Sequence, residues 1–162
     1  MIRRSQIRLV FHGGVFVLIS TMLAAYPGLP RAFFHFMNDP VRQYLRQAHA
    51  ILLLTGVFML ATSMALPLLE LTARGISWLV WSFVISGYTF AAALVVLFAG
   101  FTRHPPDAKL TQWCQTMAIP FPLNWINIAL VGVSGATSFL PGLLIVLGAY
   151  KASQHSVVYD VR

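Results

Sequence analysis

Arg42, Arg46 and His49 are the residues in this chain whose types and spacing could do chemistry. They sit in the stretch Arg42-Gln43-Tyr44-Leu45-Arg46-Gln47-Ala48-His49. On a helix, positions i, i+4 and i+7 share a face, and Gly56 and Ser63 extend that stripe at heptad intervals. A neutral imidazole ligates transition metals, and guanidinium groups pair with carboxylates. At a rise of about 1.5 Å per residue, Arg46 lies about 4.5 Å and Arg42 about 10 Å from His49 along the axis. That is the spacing of a heme edge, with iron on His49 and propionates at the two arginines. Gly56, about 10 Å further along, has no side chain to obstruct a macrocycle. The same spacing fits an interfacial histidine with two arginines snorkelling to the headgroups. On spacing alone both readings stand.

His12 is the other histidine inside an apolar segment. Successive spans run antiparallel, so His12 lies about 7 Å inside one membrane face and His49 about 6 Å inside the other. Across an apolar core of about 30 Å they are roughly 16 Å apart, too far to share an iron. An iron on His49 would then be five-coordinate with an open position. His12 reads as a hydrogen-bonder between helices, and His35, His104 and His155 as loop or tail residues. The polar residues of the later segments are Ser86, Tyr88 and Thr89, then Asn124, Asn127, Ser134 and Thr137. Asn127 and Ser134 share a face by heptad spacing, which favours interhelical hydrogen bonds of about 0.6 kcal/mol per pair. No Asp, Glu or Lys falls inside an apolar segment, which argues against a proton relay or ion pump. The single cysteine, Cys114, leaves no intramolecular disulfide or cysteine cluster. There is no nucleotide-binding loop, HExxH or serine elbow.

The elements that must carry these residues are transmembrane helices. The chain has 162 residues, of which 58% are hydrophobic and 9% charged, with a mean hydropathy of +0.75. Soluble domains carry about 25% charged residues. The expectation is an all-α, integral membrane four-helix bundle in a single domain over 1–162, with spans at 7–26, 43–69, 76–101 and 121–150. Pro27-Gly28-Leu29-Pro30 ends the first span, and Asp39-Pro40 reads as an N-cap with proline at the first helical position. Phe33, Phe34 and Phe36 suggest an interfacial belt, and Pro141 a kink in the last helix. The short link around Arg74-Gly75 makes the second and third spans antiparallel neighbours. The first segment is too long for a signal h-region and reads as a retained helix. The net charge of +7 is placed at segment ends and in loops. It points to the lipid bilayer and its anionic headgroups rather than to nucleic acid. Six basic residues lie on the side of the termini and five on the other, so orientation is nearly unbiased. Reserving Arg42 and Arg46 for a ligand favours cytoplasmic termini.

Several short motifs resemble the styrene oxide isomerase family. They are His12-Gly13, Arg46-Gln47-Ala48-His49, Gly56, Leu66-Pro67-Leu68 and Leu147-Gly148-Ala149-Tyr150-Lys151. The resemblance spans nearly the whole chain. It implies a small trimeric, four-helix membrane protein, here of a bacterial inner membrane, carrying heme b on the residue matching His49. It also implies ferric iron as a Lewis acid on an epoxide oxygen, with the ring opening to a carbocation that rearranges to an aldehyde without net redox change. Arg42, Arg46 and Gly56 would complete the cofactor site, and Thr55, Ser86, Tyr88 and Asn127 would line a pocket for a small apolar substrate. This chain departs from the family pattern in three places. Thr55 replaces an asparagine, Ser86-Gly87 an acidic residue before glycine, and Leu94 a tyrosine. Two alternatives are a heme protein that binds a gas or passes electrons, and a non-enzymatic membrane subunit or assembly protein. For the latter, Gly132-x-x-x-Ala136 and Ser134-x-x-x-Ser138 permit close helix contact.

Overall fold

Long apolar runs leave the backbone one economical solution in lipid, which is to satisfy every N–H and C=O within a helix. The computed structural model describes residues 2–25, 39–101 and 118–159. They form α1 (Ile2–Ala25), α2 (Asp39–Ala65), a 3-10 turn (Leu66–Leu68), α3 (Ala73–Phe101) and α4 (Leu123–Tyr159), with no strand among the described residues. Four stretches are long and apolar enough to cross a membrane: Ile2–Ala24, Gln43–Leu68, Ala73–Phe101 and Leu123–Gln154. The chain is an all-α integral membrane protein.

Helix ends and apolar ends do not coincide. α1 begins at Ile2 rather than near Ile7, because Arg3, Arg4 and Gln6 are good helix formers whether or not they sit in lipid. For the same reason α4 continues past Tyr150 to Tyr159. Pro141 lies inside α4 with its ring buried, as transmembrane helices tolerate when neighbours compensate the freed carbonyl. Pro67 instead helps end α2, which tightens into the 3-10 turn. The aromatic belt at Phe33, Phe34 and Phe36, and His35, His104 and Cys114, lie outside the described residues.

The helices associate as two antiparallel pairs, α1 with α2 and α3 with α4. The α1–α2 seam follows a heptad. Gln6 Nε2 donates to the Ser63 carbonyl at 2.9 Å, Gly13 meets Gly56, and Ser20 meets His49. The middle contact depends on both glycines, since a Cβ on Gly56 would stand 2.7 Å from the Gly13 carbonyl oxygen. The α3–α4 seam is polar at two levels, Ser86 with Ser134 and Ala93 with Asn127. Near its end, Glu70 N–H donates to the Gly148 carbonyl at 3.2 Å, and Gly148 leaves room for Leu69 and Leu71. Phe16 of α1 joins the pairs by packing its ring on Gly87 and Tyr88 of α3. Leu9, Phe16, Leu52, Met59 and Leu79 form the buried centre.

α2 and α3 do touch and run antiparallel, since Tyr44 at the start of one stacks against Phe101 at the end of the other, 5.2 Å between ring centres. Their principal partners are nonetheless α1 and α4. A short link sets which ends are adjacent, whereas small and hydrogen-bonding residues decide which helices press together. Much of the outer surface is apolar, for instance Phe11, Leu18, Met22, Phe139 and Val146, as a bilayer requires.

Candidate functional site

α2 carries His49 at the contact with α1, where Ser20 is fully buried. Ser20 Oγ donates to the His49 carbonyl oxygen at 2.8 Å. Its single proton is thereby used, so at its 2.7 Å contact with His49 Nδ1 the hydroxyl accepts. The Ser20 carbonyl oxygen, 2.9 Å from the same nitrogen, can only accept as well. Nδ1 therefore carries the imidazole proton, and in the neutral ring Nε2 holds the free lone pair. This tautomer follows from the hydrogen-bond network. Nε2 has no hydrogen-bond partner among the described residues, and the ring is only partly buried. Arg46, one turn nearer the helix start, is exposed. Arg42 lies in α2, but its side chain is outside the described residues.

Gly56 shares the His49 face, and its open side is occupied by α1 through Gly13 and Val17. Within one chain, its missing side chain serves the helix crossing. His12 belongs to a different contact. Its Nδ1 is 3.0 Å from the Tyr88 hydroxyl of α3, and the two rings meet edge to face at 5.6 Å. His12 and His49 thus have separate partners. Ser20 lies eight residues beyond His12 on α1, about 12 Å along the axis.

Of the four residues expected to line a pocket, Asn127 stands in the wall of a cavity. A cavity of about 570 Å³ lies between α2, α3 and α4, with Ala48, Phe90, Leu94, Leu97, Asn127 and Val131 among its walls. Asn127 is buried, and its Nδ2 donates to the Ala93 carbonyl at 2.6 Å. Its Oδ1 has no partner among the described residues. Thr55 instead bonds back to the Ile51 carbonyl of its own helix at 2.8 Å. Ser86 donates to the Ser134 carbonyl at 3.1 Å, and Ser134 returns the bond to the Ser86 carbonyl at 2.9 Å. Tyr88 is engaged by His12 and is partly exposed. Gly132 opens onto the cavity rather than onto a helix contact.

Two contributors escaped the reading of the sequence. Ser20 was one polar residue among many in a long apolar run. Its heptad relation to Gln6 and Gly13 was the available signal, but only the pairing of α1 with α2 gives that relation meaning. The cavity was the other, because it arises from residues on three helices. Among the described residues, no three His, Cys, Asp or Glu side chains cluster as a multidentate metal site would require.

The chain's likeness to known proteins agrees with this geometry at the level of family. A styrene oxide isomerase family model matches residues 5–158. Neither the curated proteins nor the solved structures yield a match. The matched region takes in three spans whole and the first from residue 5, both sides of the Ser20–His49 contact and the whole cavity wall. The chain belongs to the styrene oxide isomerase family.

Proposed function

We propose that this protein is a heme-b membrane isomerase that rearranges a small apolar epoxide to an aldehyde. The observation that carries the reading is the state of His49. With Nδ1–H committed to Ser20, Nε2 of the partly exposed ring keeps its lone pair, the condition a histidine that would hold iron must meet. The residues present fit the group. His49 would hold the iron, and Arg46 and Arg42 would pair with propionates. Gly56 acts through the α1–α2 crossing that holds His49 in place. When bound, ferric heme supplies a Lewis acid for an epoxide oxygen. The protein's own part is to present that position to an apolar compartment, exclude water and orient the substrate.

The cavity beside Ala48 suits such a substrate. Its volume, about 570 Å³, lies within the usual range of about 300–1,000 Å³ for small-molecule pockets. Its walls are mainly apolar, and Asn127 provides a polar group for orientation. An apolar epoxide would reach it from the bilayer. The protein would work as a homo-oligomer, a trimer by resemblance, in a bacterial inner membrane with both termini cytoplasmic. His49 and Ser20 would then lie in the outer half of the membrane.

Purified protein should show a Soret band that His49→Ala abolishes, and the ferric form should convert styrene oxide or a similar aryl epoxide to the aldehyde. A colourless wild-type protein that is folded and cannot take up hemin would refute this reading. A second reading, heme binding without isomerisation, is favoured by one observation: Thr55 spends its hydroxyl on its own helix, and Ser86 and Tyr88 spend theirs on helix contacts. Clean redox cycling with no epoxide turnover would select it.

A further inference from the structure

Ser20 does not line the cavity, yet it makes every hydrogen bond found for the His49 ring among the described residues. We propose that Ser20 is the positioning residue of the heme ligand: it holds His49 in the Nδ1–H tautomer and so leaves the Nε2 lone pair free for the iron. The inference rests on the heme reading above and concerns the chemistry of that same site.

Three features support it. The contact is reciprocal, since the serine hydroxyl donates to the His49 backbone while its two oxygens both face Nδ1. Rotation of the ring would therefore give up both Nδ1 contacts at once. The contact is also dry on the serine side, because Ser20 is 0% exposed, so water cannot substitute for the missing partner. Finally, both acceptors are neutral. Metal-bound histidines commonly donate their second N–H to a carboxylate or a carbonyl. A carboxylate draws the ring towards imidazolate and passes electron density to the metal. A hydroxyl and a carbonyl leave the proton on the ring, and an iron held by it would stay electron-poor, which suits a Lewis acid better than a reductant. The chain has only four acidic residues, and none lies in α1.

The proposal can be tested on the protein without and with heme. In ¹⁵N-histidine-labelled apo protein, the His49 resonances, assigned by their absence in His49→Gln, should show a protonated Nδ1 and a bare Nε2. Ser20→Ala keeps the backbone carbonyl and removes the hydroxyl. It should mix the tautomers, weaken hemin affinity about tenfold, and shift or broaden the iron–histidine stretching band of the ferrous form. Ser20→Thr, which retains the hydroxyl, should restore the tautomer and the band even if it lowers stability. A wild-type His49 protonated at Nε2 would overturn the proposal. So would a Ser20→Ala protein with wild-type hemin affinity and an unchanged band. Absence of hemin uptake by folded wild-type protein would instead overturn the heme reading and, with it, the positioning role.

Discussion

An imidazole between two helices has two nitrogens to place, and the fate of one determines what the other can do. His49 gives Nδ1–H to Ser20 and leaves Nε2 available, whereas His12 spends Nδ1 on Tyr88. The two histidines are therefore not equivalent candidates, and His12→Ala should leave the Soret band intact where His49→Ala removes it. Asn127 carries the second prediction at this scale. Its Nδ2 ties α4 to α3, the residue stands in the cavity wall, and its Oδ1 has no partner among the described residues. Asn127→Leu should lower kcat/KM for the epoxide about tenfold, roughly 1.4 kcal/mol, with the heme spectrum unchanged. A parallel loss of heme and activity would assign Asn127 to the fold alone. The polar types were legible in the sequence, and so was the heptad linking Asn127 to Ser134. Which atom of each side chain was left free was not, because that depends on partners tens of residues away.

Helix pairs are held here by small residues and reciprocal hydrogen bonds, as expected where lipid removes the hydrophobic drive for helices to associate. The glycines separate into two kinds. A Cβ on Gly56 would collide with the Gly13 carbonyl and Val17, whereas a Cβ on Gly14 would meet nothing within 4 Å. Gly56→Val should therefore destabilise the protein by about 1–3 kcal/mol and disturb the setting of His49. Gly14→Ala should be neutral or stabilising by up to about 1 kcal/mol, both read from denaturation in detergent. The Ser86–Ser134 exchange makes a milder prediction. A double-mutant cycle to alanine should return a coupling of about 0.6 kcal/mol, the average for polar contacts within membranes. That face of α3 is built for helix contact, which agrees with the heptad reading of Asn127 and Ser134. It also explains why Ser86 does not reach the cavity.

At the scale of the molecule, four spans return the chain to the side on which it began, with His49 and Ser20 towards the opposite face from Arg3, Arg4 and Arg8. Arg8 lies over the Trp81 ring, 5.7 Å from its centre, on the side of the termini. An arginine over an indole with its head towards water is a common interfacial anchor. With the termini cytoplasmic as proposed, fusions of a reporter that fluoresces only in the cytoplasm should be bright at either end, and a periplasmic phosphatase inactive at both. Opposite signals from the two ends would contradict an even number of spans.

Composition, hydropathy and the positions of proline and glycine were enough to define four transmembrane helices and to single out Arg42, Arg46 and His49, because helix formation in lipid follows local hydrophobicity and backbone satisfaction. Local pattern also placed Pro67 near the end of a helix, while at the start of α1 and the end of α4 helical backbone outlasts apolar sequence. Only the tertiary structure decided that α2 presses on α1 more than on α3, that Gly56 is filled by Gly13 and Val17, and that Ser20 holds the His49 ring. The physical reason is distance along the chain. A residue's type is local, but the partner that settles its proton, its free space and its role is brought to it by a different helix.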